Sequence, residues 1–134
     1  MEMASLMDNT QYFYRNAIFS SKNNRVSLVD IEYPDRATSL DEWLGVVVSL
    51  ADGQHTIQQM IDHMSRQYRQ APENLEETLH SVIERLEEGK IIQLSKRIVS
   101  LPYYLSLPIE ELDIEKAKKL IQEDGYNNSS SKLN

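Results

Sequence analysis

The residues best equipped for chemistry are three histidines, His55, His63 and His80, and the carboxylates scattered around them. Imidazole titrates near neutral pH and ligates metals, so a helical metal site would place two histidines four residues apart. No pair here has that spacing, and the chain has no cysteine to complete a ligand set, attack a substrate or form a disulfide. The three histidines therefore read as solvated or half-buried structural groups. The carboxylates fall in runs, Glu76-Glu77, Glu87-Glu88 and Glu110-Glu111. General acid–base work needs a carboxyl whose pKa is moved by an apolar pocket, and such runs read instead as wet helix faces. No serine lies in a GxSxG turn. Of the four glycines, Gly53, Gly89 and Gly125 stand where helices should stop, which leaves too few for a phosphate-cradling loop. A non-catalytic protein is expected, with no metal and no cofactor.

Bulk properties narrow the partners. The chain has 134 residues with 21 acids against 14 bases, a net charge of −7. That length suits one domain with a modest core. Acidic balance disfavours nucleic acid, whose phosphates call for clustered Lys and Arg. No fully apolar block is longer than Val46–Val48, so no membrane span is expected. The opening MEMASLMDNT lacks the features of a secretory signal, and the absence of cysteine suits a reducing compartment, so a cytoplasmic protein is expected.

The elements that must position these residues follow from periodicity. Residues 1–10 read as a flexible lead-in. Tyr12 to Phe19 is aromatic and β-prone, Ser20 to Asn24 is a turn cluster, and Arg25 to Tyr33 is a second strand. In the latter, Val29, Ile31 and Tyr33 alternate with Asp30 and Glu32, and Pro34 should end it. Ser39 with Glu42 has capping-box spacing for a helix over 40–51, whose stripe is Leu40, Trp43, Leu44, Val47 and Leu50. An Asp52-Gly53 corner follows. Thr56 and Gln59 cap a second helix with Ile57, Met60, Ile61, Met64 and Tyr68 inward. Pro72 opens a third helix striped by Leu75, Leu79, Val82, Ile83 and Leu86, and Gly89 ends it. Lys90 to Leu94 and Arg97 to Leu101 read as a wing hairpin. Asp113 caps a last helix from Ile114 to about Asp124, with Ala117, Leu120 and Ile121 on its apolar face, and Gly125 stops it. The fold class is thus α+β: a winged helix-turn-helix with an N-terminal β-hairpin or three-stranded sheet, three helices, a wing hairpin and an extra C-terminal helix. The expected organisation is a core domain over 11–101, a C-terminal extension over 102–125 and a disordered polar tail over 126–134.

A winged helix can read DNA or hold a peptide. The third helix carries Glu73, Glu76, Glu77, Glu84, Glu87 and Glu88 against Arg85 alone, which would repel a phosphate backbone. A peptide needs an open strand edge beside an apolar groove. The predicted groove is walled by Val29, Ile31 and Tyr33 on the strand and by Thr78, Leu79 and Ile83 on the third helix. A structural subunit that docks through its last helix is a further possibility, and a homodimer is compatible with the pattern.

The Leu50-Ala51-Asp52-Gly53 corner with Thr56, the Ile57–Ile61 helix, Ala71-Pro72-Glu73 and the Leu86-Glu87-Glu88-Gly89-Lys90-Ile91 ending resemble the family of the pyrroloquinoline quinone biosynthesis chaperone D. That family belongs to the wider group of RiPP recognition elements. The resemblance spans about Arg25 to Leu94, roughly half the chain. It implies a winged-helix domain that binds the leader of a ribosomally made precursor peptide as an added strand. The leader is then presented to a modifying enzyme such as a radical-SAM protein. In this chain the implied leader strand is the one around Val29 to Tyr33. The segment 33–39 is longer than the family pattern, and 102–134 has no counterpart in the minimal domain.

Overall fold

A computed structural model describes residues 7–67 and 74–126 of the chain. Tyr68, Pro72 and Glu73, together with residues 1–6 and 127–134, lie outside the described residues. The architecture is α+β, with two antiparallel three-stranded sheets and five helices among the described residues. In chain order the elements are β1 (Tyr12–Arg15), β2 (Phe19–Lys22), β3 (Arg25–Asp30), β4 (Tyr33–Ser39), α1 (Glu42–Leu50), β5 (Asp52–Thr56), α2 (Ile57–Gln67), α3 (Leu75–Glu88) and β6 (Ile92–Ser95). A C-terminal segment adds α4 (Tyr103–Ser106), a 3-10 turn (Ile109–Glu111) and α5 (Ile114–Asp124).

The expected first strand divides between two sheets. β1 lies at the centre of the order β5-β1-β6, whereas β2 opens the order β2-β3-β4. Between them, Asn16 N–H donates to Ile91 O and Ile18 O accepts from Val29 N–H, so neighbouring residues serve different sheets. The turn into β3 shrinks to Asn23 and Asn24, whose φ of 55° and 62° suits a type I′ hairpin. Pro34 does not end the strand as expected. It lies within β4, an edge strand, where a missing ladder donor is tolerated.

Helix boundaries follow local chemistry with two amendments. α1 is capped by Asp41, whose carboxylate accepts from Leu44 N–H at 2.9 Å, rather than by Ser39, which ends β4. The Thr56–Gln59 capping box is reciprocal: Gln59 N–H donates to Thr56 Oγ1 at 3.1 Å and Thr56 N–H donates to Gln59 Oε1 at 2.8 Å. After α3 the left-handed residue is Lys90, φ 62°, while Gly89 stays right-handed. Ile91 N–H to Leu86 O and Lys90 N–H to Glu87 O then close the helix end. The wing is also different. Its first half is β6, but residues 97–101 form no strand, and β6 pairs with β1 instead, Tyr12 with Ser95 and Tyr14 with Gln93. Val99 instead donates its N–H to Gly53 O on β5.

Two apolar cores result. The larger joins Phe13, Leu28, Leu44, Val47, Val48, Ile57, Met60, Met64, Leu79, Ile83, Leu86 and Ile92. In it α1 lies against both β3 and α3. Gly45 lets the helix approach the strand, since a Cβ there would sit 3.1 Å from Val26 Cβ. The smaller core joins Ile18, Val29 and Ile31 to Tyr104, Leu105, Leu112 and Ala117 of the C-terminal segment. That segment is therefore part of the fold rather than an appendage. Asn9 and Tyr126, near the two limits of the described residues, are both tied to the fold. Asn9 Oδ1 meets His80 Nε2 at 2.7 Å, and the Tyr126 hydroxyl donates to Asn16 O at 2.6 Å.

Candidate functional site

The predicted groove is not assembled. Val29 and Ile31, each 2% exposed, lie in the smaller core under the C-terminal segment. Leu79 and Ile83, both fully buried, belong to the larger core. Tyr33 is exposed and Thr78 is half-buried. The physical reason is the segment after Pro102, which supplies its own apolar residues to the face of β3 that sequence periodicity leaves bare.

What locks that segment down is Arg15, a residue that aromatic patterning hides. It shares the inward face of β1 with Phe13 and is 2% exposed. Its guanidinium donates to Val48 O at 3.0 Å and Ser49 O at 3.1 Å in the last turn of α1. It also donates to Leu105 O at 3.0 Å and Ser106 O at 3.3 Å at the end of α4. Both sets are helix C-terminal carbonyls, which carry the negative end of the dipole. The cation further stacks on Phe19, 4.5 Å from the ring centroid. Burial lowers the Arg15 pKa, and Asp52 opposes that shift. The alternation of β1 was the available signal: an arginine two residues from a buried phenylalanine must face inward.

The β2-β3-β4 sheet has one closed edge and one open edge. Register identifies both. Val26 O accepts from Leu40 N–H at 3.0 Å, so Val26–Leu40 and Leu28–Thr38 are the hydrogen-bonded pairs. Ala37 and Ser39 consequently turn their N–H and C=O groups away from β3. On the opposite edge, Ser21 N–H donates to Glu110 Oε1 at 3.0 Å and Ser20 Oγ donates to Glu110 Oε2. Burial alone would raise the Glu110 carboxyl, but those donors, with Lys22 nearby, hold it below its ordinary value. The β2 edge is thus blocked by a side chain from the 3-10 turn. Residues Asp35 to Ser39 on β4 are all exposed.

At the C-terminal end of β4 the chain turns into α1 beside a groove of about 640 Å³. Its apolar lining is Val26, Leu40 and Val46, and its rim carries Arg25, Asp41 and Glu42. A second cleft, about 560 Å³, lies between the end of α1, β5 and α2 over Phe13, Leu50 and Met60. His55 and His63 stand on its rim with Asp52, Asp62 and Arg66. His55 Nδ1 lies 3.1 Å from Asp52 Oδ1. Both members of the pair are exposed. His80 is buried on α3, bound to Asn9 and 3.7 Å from Glu76. Among the described residues no three His, Asp or Glu side chains converge on a point that would hold a metal, and no helix is long and apolar enough to cross a membrane. Comparison of the chain with protein-family models, characterised proteins and solved structures returned no match.

Proposed function

We propose that the protein is a non-catalytic, cytoplasmic peptide-binding adaptor of winged-helix type. It takes an extended segment, such as the leader of a ribosomally made precursor, as an added strand, and offers it to a modifying enzyme such as a radical-SAM protein. The observation that carries this reading is the open edge of β4, with Ala37 and Ser39 aimed at solvent while the β2 edge is blocked by Glu110. Main-chain groups of that kind give β-augmentation its affinity. The element order from α1 to β6, helix, strand, helix, helix, strand, supports the winged-helix part. The exposed face of α3 carries Glu76, Glu77, Glu84, Glu87 and Glu88 against Arg85, which weighs against DNA in the position of a recognition helix. The contact strand moves from Val29–Tyr33 to β4, because Val29 and Ile31 are buried.

A pair of proline substitutions tests the edge. Ala37→Pro removes a donor that faces away from β3, so the fold should persist and peptide binding should fall at least about tenfold. Thr38→Pro removes a donor that faces β3, and should lower stability as well. Amide NMR during titration with synthetic extended peptides reads both. Unchanged affinity in Ala37→Pro with an intact fold would remove β4 from the site.

A further inference from the structure

We infer that the strand received by β4 is basic, and that its anchor is a long cationic side chain seated in the groove where β4 meets α1. This rests on the adaptor reading and names the chemistry of its ligand. A strand added to β4 runs beside Asp35 and Arg36 and past the residues that flank the strand. Those flanks hold Glu32, Asp41 and Glu42. Arg36 is also engaged: its guanidinium lies 4.7 Å from the Tyr33 ring centroid. Neighbouring elements add Lys118, 3.9 Å from Glu32, and Arg25, which lines the groove with Asp41 and Glu42. Carboxylates still outnumber cations along the edge. Among the described residues Asp35 and Glu42 have no ion-pair or hydrogen-bond partner.

The groove explains why charge alone is not the whole specificity. Its lining runs from Ser21 and Arg25 of the β2–β3 hairpin to Leu40, the residue after the last one of β4, so it adjoins the end of the edge strand. Its lining of Val26, Leu40 and Val46 suits a methylene stem, and Asp41 and Glu42 at the rim suit the ammonium or guanidinium that the stem carries. A short or anionic side chain would leave the lining wet or set like charges together. Complementary charge of this sort speeds encounter and rejects wrong partners more than it adds raw affinity.

The test uses the full chain and three synthetic peptides of about ten residues, in which Thr alternates with Lys, Gln or Glu, a length that spans one typical strand. Amide NMR should show Ala37, Ser39 and Leu40 shifting with the Lys peptide. Its affinity should exceed that of the Gln peptide by about tenfold at low salt, and the gap should close in high salt. The Glu peptide should not bind. Glu42→Lys leaves the Asp41 cap in place, so helix content should hold while the Lys peptide loses at least about fivefold. Equal affinity for the Lys and Gln peptides, both weakened by Ala37→Pro, overturns the charge inference and leaves the β4 site standing. A Lys peptide that binds Ala37→Pro as tightly as the parent overturns both, because it then sits elsewhere on an acidic surface.

Discussion

Replacing Arg15 by methionine should loosen the C-terminal segment before the rest of the fold. Methionine keeps an unbranched stem of similar reach but has no donors. The carbonyls of Val48, Ser49, Leu105 and Ser106 would then lose the hydrogen bonds that Arg15 gives them. A hydrogen bond to a charged donor contributes about 1.5–3 kcal/mol, but four of them do not simply add, because the buried guanidinium itself costs several kcal/mol to desolvate. Removing one side of such an arrangement costs about 3–5 kcal/mol, since the other side stays buried and unsatisfied. For a domain of this size that corresponds to a fall in Tm of roughly 10–20 °C. Arg15→Lys should recover only part of the loss, because one ammonium cannot span two helix ends. Thermal melts followed by circular dichroism give the magnitude, and amide hydrogen exchange gives the location. Protection should drop first in α4 and α5, with α3 following only at the global transition. A melting point within about 2 °C of the parent, or uniform loss of protection across α3 and α5, would refute the idea that Arg15 staples the two cores.

Other outcomes follow from single residues. Gly53→Ala should cost about 1–3 kcal/mol in chemical denaturation, because φ is +78° and the new Cβ would collide with Val99 O. Thr56→Ala breaks one half of the reciprocal cap of α2 and should cost about 1 kcal/mol, with Thr56→Ser close to neutral. In an alkaline titration two of the seven tyrosines should ionise late. Burial raises Tyr104 and Tyr126 to about 12, helped in Tyr104 by its bond to Asp124 and in Tyr126 by the neighbouring Tyr104. A raised folded-state pKa means that their contribution to stability is whole below the ordinary phenol value of about 10 and is lost as pH climbs through about 12. Arg15, lowered by burial, acts with the opposite sign in that window, so phenolate absorbance is a cleaner readout than Tm.

Much of the secondary structure was legible from local chemistry. The Thr56–Gln59 box, the apolar face of α2, the Asp113 cap and the Gly125 stop all depend on residues within one turn of each other, and each stands where spacing placed it. The boundaries that moved had near-equivalent neighbours: Asp41 displaced Ser39, and Lys90 took the left-handed position beside Gly89. The proposed groove failed for a longer-range reason. Alternation marks Val29 and Ile31 as inward-facing, but what covers an inward face is chosen by the tertiary fold. Here it is a segment more than seventy residues away in the chain, and the same burial removes those side chains from any partner.

By itself the sequence determined an acidic, cysteine-free α+β chain whose third helix is rich in glutamate, because composition and helical periodicity are local quantities. Only the tertiary structure decided which strand edge is open. β2 and β4 both border β3, and although Pro34 suits β4 to an edge, it does not say whether that edge or the one at β2 stays open. The difference is Glu110, brought from the C-terminal segment onto the amide of Ser21, while no counterpart reaches the outward amides of β4 among the described residues. The same holds for Arg15, whose place in a β-prone run says only that it points inward. Its role comes from the convergence of two helix ends, at α1 and α4, that lie about thirty and ninety residues further along the chain.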